Sequence, residues 1–215
     1  MMKFEDEMEA LKGCMAGMAD LTSFMVCAAL SAVEDIGSVD SEMLSDEFAK
    51  VDRYDRRIEE ASIRILTLYH PMASDMRMVA TYLKCITYLE RIAKYSRNVV
   101  KAVAGIGDRH GSDILKDVLP MGRTASRMVE IVVSGLKNAS VDDFDKLSDM
   151  DTVLDSSLRE GLAHIVDRMK NDPECADAGT YCISVMKYLE RIGDHACKIA
   201  EKVTFMVTGF HTVIE

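Results

Sequence analysis

Apolar residues recur along this chain at the spacing of one face of a helix. Between residues 3 and 36 they fall at Met8, Leu11, Met15, Met18, Leu21, Met25, Ala28, Ala29, Ala32 and Ile36. Gly37 to Asp40 interrupts the pattern, and a Ser or Asp there can cap the helix that follows. The spacing predicts a second helix from about Glu42 to Tyr69, ended by Pro71, and a third from about Ala73 to Val103. The stretch 104–113 holds the richest cluster of Gly and separates two halves. A fourth helix is predicted from about Ile114 to Leu136, with Pro120 as a kink or a late start. A fifth runs from about Val141 to Lys170 and, past Pro173, a sixth from about Cys175 to Val207.

The halves repeat each other. YLERI occurs at 88–92 and again at 188–192, an offset of 100. Met25-Val26 matches Met128-Val129 at 103, and Ser38-Val39-Asp40 matches Ser140-Val141-Asp142 at 102, as Pro71 matches Pro173. Each half therefore reads helix, break, helix, Pro, helix. Long helices with a one-sided apolar stripe bury it most simply in an up-down-up bundle. The expectation is an all-α fold of two tandem three-helix bundles, residues 1–107 and 108–215.

Composition agrees with helix-on-helix packing. Apolar residues make up 48%, aromatics only 6%, Trp is absent and Met numbers 16. With 3 Pro and 12 Gly there are few turn formers, against an all-β fold. The net charge of −10 leaves no electrostatic footprint for nucleic acid or anionic lipid. The start MMKFEDE lacks the layout of a signal peptide, and the most apolar stretch, Leu21 to Val33, is too short to span a bilayer. These features predict a cytoplasmic protein with no membrane insertion. The six Cys show no metal or redox spacing and mostly fall on apolar helical positions, as reduced core thiols do.

The unexplained chemistry is acidic. On the sixth helix Cys182, Met186, Leu189, Gly193, Cys197 and Ala200 form one stripe; Glu190 falls inside it and Asp194 at its edge. On the fifth, Leu147, Leu154, Leu158 and Ile165 mark the stripe, with Asp151 inside and Asp155 at the edge. A carboxylate on a buried face is costly unless paired, hydrogen-bonded or bound to metal. Neighbouring antiparallel helices would let the two pairs converge, and a hard cation such as Mg, Mn, Fe or Ca would resolve their repulsion. Spacing alone equally allows solvated charges or rim ion pairs with Arg159 or Arg191. In the first half Asp52 corresponds to Asp155 and Glu90 to Glu190, but Phe48 stands for Asp151 and Lys94 for Asp194. That half is expected to hold metal weakly or not at all. His195 projects away from Glu190 on the helical wheel and reads as a surface or interface residue; His164 reads as a surface residue. No nucleophile elbow or phosphate loop is present, so no catalytic constellation emerges.

LERIGDHACKIAE at 189–201, its copy LERIAKYSRNV at 89–99 and HPMASDMR at 70–77 resemble signature stretches of the PhoU family, and the resemblance spans essentially the whole chain. It implies two three-helix bundles carrying E(D)xxxD metal motifs. Asp151, Asp155, Glu190 and Asp194 would then be the second-repeat ligands, and Asp52 and Glu90 the remnant of the first set. The implied metal is iron, zinc, manganese or magnesium. The implied role is a cytoplasmic, non-enzymatic, homodimeric adaptor and negative regulator. It would couple the ATPase of a phosphate ABC transporter to a sensor histidine kinase. Two alternatives stand beside it: a PhoU-like domain regulating a different transporter, and a metal-dependent helical-bundle enzyme or metal-storage protein. Against the last, di-iron bundles use Glu-x-x-His pairs, and Glu160 with His164 is one residue too long.

Overall fold

The computed structural model describes residues 2–106 and 115–214. Six long helices build it: α1 (Met2–Glu34), α2 (Ser41–Tyr69), α3 (Ala73–Ile106), α4 (Leu119–Asn138), α5 (Leu147–Asn171) and α6 (Ala176–Thr208). No strand occurs among the described residues. Local chemistry sets the ends. The Asp40 carboxylate accepts the Glu42 amide at 2.8 Å and caps α2. His70 then turns left-handed, with φ of 48°, ahead of the buried Pro71. Pro120 sits in the first turn of α4, where its missing N–H costs nothing, so it marks a late start rather than a kink. The fifth helix starts later than its periodicity implies, because Phe144–Lys146 forms a 3-10 turn first. Gly209, at φ of 80°, closes α6 and donates its amide to the Phe205 carbonyl.

The first three helices pack on one another, and α6 packs on both α4 and α5. The most extensive interface, however, joins the halves: α3 lies against α6, with α1 against α4 beside it. One continuous aliphatic and Met core therefore runs through both bundles. The expected boundary between residues 107 and 108 lies outside the described residues.

Helices α3 and α6 are antiparallel. Arg77 Nε donates to the Met206 carbonyl at 3.5 Å and Thr81 Oγ1 to the Lys202 carbonyl at 3.3 Å; further along, Tyr88 stacks on His195 and Tyr95 on Tyr188. Helices α1 and α4 show the same pseudo-twofold relation. Asp20 pairs with Lys137 at 2.5 Å and Glu34 with Arg123 at 3.2 Å. In the repeat alignment Asp20 corresponds to Arg123 and Glu34 to Lys137, so one contact occurs twice with its charges reversed. Both pairs are exposed and add little stability.

Helix α1, over Lys3–Glu34, is long and apolar enough to cross a membrane by composition, which the shorter stretch Leu21 to Val33 did not suggest. Its apolar face is nevertheless committed to the core: Met8, Leu11, Met15, Met18, Met25 and Ala29 are all buried. All six cysteines are free thiols. Cys85, Cys175, Cys182 and Cys197 are buried, Cys14 is half-buried, and Cys27 departs from the core reading by being exposed.

A candidate carboxylate metal centre

The α5–α6 seam brings the second-repeat acids onto one face. It can do so because Gly193 of α6 lies directly under Leu154 of α5, where a Cβ would collide with the Leu154 Cδ1. Leu154 is buried and lies between Asp151 and Asp155 on its helix. Asp151, Thr152 and Asp155 of α5 and Asp194, His195, Cys197 and Lys198 of α6, with Ile214 of the C-terminal segment, line an open cleft of about 430 Å³. Glu190 stands just outside this lining but within electrostatic reach of the other three acids.

These carboxylates repel. Burial, then Asp194 and Asp155, raise the Asp151 carboxyl above the usual range, although the Cys197 thiol donates a hydrogen bond that favours its ionised form. Burial and Asp194 raise Glu190, opposed by Arg191. Burial raises Asp194, which Asp155 also raises and Arg191 opposes. The Cys197 thiol is itself pushed up to about 12 by burial and by Asp151. Arg191 realises the rim ion pair that spacing allowed, 3.4 Å from Glu190 and 3.0 Å from Asp194, but its side chain is more than half exposed and does not offset the set. Among the described residues no three His, Cys, Asp or Glu side chains close around one point as they stand. The donor chemistry still fits an oxygen-preferring cation: Asp151, Glu190 and Asp194 are half-buried and ionised at a cost that a positive charge among them would remove, and the exposed Asp155 adds a fourth carboxylate at the rim.

The first-repeat remnant is also assembled. Glu90 on α3 is raised by burial, favoured back toward its ionised form by Lys94, and raised again by Asp52 and Asp55 of α2. Two features there were not read from the sequence. Asp55 joins the acids, and Arg97 lies with its guanidinium 4.1 Å over the Phe48 ring.

His195 is the other addition. It sits at the α3–α6 interface, as one of the sequence readings had it, yet it also lines the carboxylate cleft. Its ring stacks on Tyr88 and Tyr95, and neither ring nitrogen has a hydrogen-bond partner. His164 lies at the surface, its Nδ1 3.0 Å from Asp117.

The model of the PhoU domain matches the chain twice, over residues 15–103 and 118–203. Among curated relatives, a phosphate-specific transport system accessory protein PhoU homolog of Clostridium acetobutylicum is 24% identical, over 96% of this chain and 94% of its own. The corresponding homolog of Pseudomonas aeruginosa is 26% identical, over 96% of this chain and 86% of its own. The crystal structure of PhoU from Pseudomonas aeruginosa superposes with a TM-score of 0.87 at 25% identity, covering 96% of this chain and all of the other. That of the phosphate transport system regulatory protein PhoU from Streptococcus pneumoniae gives 0.86 at 21% identity, a likeness of fold. Matched twice by the domain model along most of its length, with both copies on the helices that carry the acidic seams, the chain belongs to the PhoU family.

Proposed function

We propose that this chain is a cytoplasmic, non-enzymatic regulator of a phosphate-specific transport system. It would dampen phosphate uptake and starvation signalling by bridging the transporter ATPase and a sensor histidine kinase, with a metal ion held in the second repeat. The observation that carries the reading is the near-complete overlap with relatives named as accessory proteins of such a system. Such a role needs docking surfaces rather than a reaction centre, and an acidic all-helical chain with no nucleophile elbow is compatible with it. In the metal part, Asp151, Asp155, Glu190 and Asp194 hold the ion, which neutralises their charge and ties α5 to α6. Cys197 keeps Asp151 oriented from outside the donor set, and Arg191 screens the rim.

The test has two arms. Affinity-tagged protein is recovered from phosphate-replete cells and its partners identified; a transporter ATPase or a histidine kinase is expected, and recovery of a different transporter's subunits instead would overturn the phosphate assignment. In parallel, the purified protein is analysed for bound metal beside an Asp151→Ala, Glu190→Ala double variant. Metal in the parent and none in the variant is expected; equal content in both would remove the metal from the proposal.

A further inference from the structure

The two repeats share helices and core but carry different side chains at the same seam. At five corresponding positions the second repeat has Asp151, Asp155, Glu190, Asp194 and Cys197; the first has Phe48, Asp52, Glu90, Lys94 and Arg97. Four carboxylates and a thiol thus face two carboxylates, two cations and a ring. The replacements are spatially matched, not merely aligned. Across the α5–α6 seam the Cys197 thiol donates to Asp151. Across the α2–α3 seam the counterparts of that same pair, Arg97 and Phe48, meet as a guanidinium 4.1 Å over an aromatic face. The Arg97 Nε is buried there without a hydrogen-bond partner, so the guanidinium is held by the face of the Phe48 ring. Lys94 contributes the second positive charge, favouring ionised Glu90 against burial, Asp52 and Asp55. Phe48 offers no donor atom, and Lys94, within electrostatic reach of Glu90, repels any divalent ion that approaches.

We infer that Lys94 and Arg97 are the resident counter-ions of the first repeat, filling by covalent attachment the role that a metal fills in the second, so that the protein has a single metal site and metal acts on the second bundle alone. The inference rests on the metal reading above for its second half, while its first half concerns Lys94 and Arg97 directly. It gives the pseudo-symmetric molecule a built-in asymmetry. The first bundle carries Lys94 and Arg97 at its seam at all times. The second gains a balancing charge there only when loaded, so loading stiffens the α5–α6 seam relative to α2–α3.

The experiment uses the full chain with Mn²⁺ as probe, read by metal content and by the Mn²⁺-induced rise in melting temperature against a chelated control. The parent is expected to take up one equivalent and to gain stability on loading. Asp52→Asn with Glu90→Gln is expected to leave the uptake unchanged; loss of metal in this variant would overturn the inference. Asp151→Asn with Glu190→Gln is expected to abolish uptake. Failure of that pair to change uptake would overturn the metal reading instead. In the Asp151→Asn, Glu190→Gln background, adding Phe48→Asp, Lys94→Asp and Arg97→Cys is expected to lower the chelated melting temperature and to install a Mn²⁺-dependent rise. If the combined variant does not fold, Lys94→Asp alone in that background reads the same change. Folded protein that still takes up no Mn²⁺ after either conversion would overturn the assignment of Lys94 and Arg97, whatever the second repeat does.

Discussion

Tyr95 and His195 stack with ring centroids 5.7 Å apart and planes 10° from parallel, and they are each other's counterparts in the repeat. The pseudo-twofold axis therefore passes between them. On either side, Tyr88 meets His195 at 5.9 Å and Tyr188 meets Tyr95 at 5.8 Å, again one contact seen twice. The column Tyr88, His195, Tyr95, Tyr188 staples α3 to α6 where the bundles fuse.

Replacing one tyrosine of this column by histidine has a cost in acid. Burial, reinforced by Arg91 and Arg191, depresses the His195 pKa from 6.5 to about 4. The unfolded chain takes up a proton as pH falls below 6.5, and the folded chain does not until about 4. The stability linked to neutral His195 is complete above the upper value and is lost as pH falls through that window. His195→Phe keeps the ring and removes the titration. Urea melts of both proteins in chelator, from pH 7 to pH 4, should diverge, the variant gaining relative stability on the acid side. The nearby carboxylates, whose raised pKa values act in the opposite sense, are common to both proteins. Parallel curves would refute the prediction.

Asp151→Asn should invert its own effect with metal. Burial, Asp194 and Asp155 all disfavour the Asp151 charge, and Asn keeps an acceptor for the Cys197 thiol. In chelator the variant should melt higher, on the order of 2–4 °C if relief of repulsion is worth about 1 kcal/mol in a chain of this length. With Mn²⁺ present the parent should overtake it, because the variant has lost a charged oxygen donor. Paired thermal scans check both signs; an Asn variant that melts lower in chelator would show that Asp151 is already satisfied by the protein.

Much of this was legible in the sequence because it is written in period and repetition. Stripes at helical spacing located all six helices, Asp40 was readable as a cap, and the YLERI copies tied the halves together. The acids on the stripes of α5 and α6 marked the seam that the fold closes. What escaped depends on contacts between helices. A helical wheel assumes one buried face, whereas α6 packs on α3, α4 and α5; so the wheel left His195 between surface and interface, and the fold places it at the α3–α6 interface beside the cleft. The Arg97–Phe48 contact was hidden because it joins two alignments of different offset, 100 on α3 and 103 on α2. The return of residues 209–214 toward the cleft has no periodicity to announce it.

Gly193 sets the closeness of the acidic seam, since its missing Cβ leaves room for Leu154. The first repeat has Ala93 at this position. Gly193→Val should cost on the order of 1–3 kcal/mol through overpacking against a fully buried partner. It should also move α5 outward, separating Asp151 and Asp155 from Glu190 and Asp194 and weakening Mn²⁺ binding. Chelated melting temperature and Mn²⁺ titration are the readouts. A destabilised variant with parental Mn²⁺ affinity would show that the seam's spacing does not govern the site.

Glu201 anchors the C-terminal segment over that same cleft. Its side chain is only 6% exposed. Burial pushes its carboxyl up, but the Lys198 ammonium at 2.7 Å, the Ile214 amide at 3.4 Å and Lys202 at 3.3 Å outweigh it and hold the group below the usual range. His211 adds a parallel stack on Phe205 at 4.3 Å, and Ile214 then reaches the lining shared by Asp151, Asp155 and Asp194. A depressed carboxyl contributes stability that is present above its ordinary value of 4.5 and lost as pH falls through the folded one. Glu201→Ala leaves the Ile214 amide without its acceptor and Lys198 and Lys202 without their shared anion. It should cost about 1–3 kcal/mol and free residues 209–214. Hydrogen exchange should then show the Ile214 amide losing protection while the α3–α6 core keeps its own. Glu201→Gln, which retains an acceptor but not the charge, should fall between parent and Ala. Retained protection at Ile214 in the Ala variant would show that the Phe205–His211 stack, not the buried carboxylate, holds the segment down.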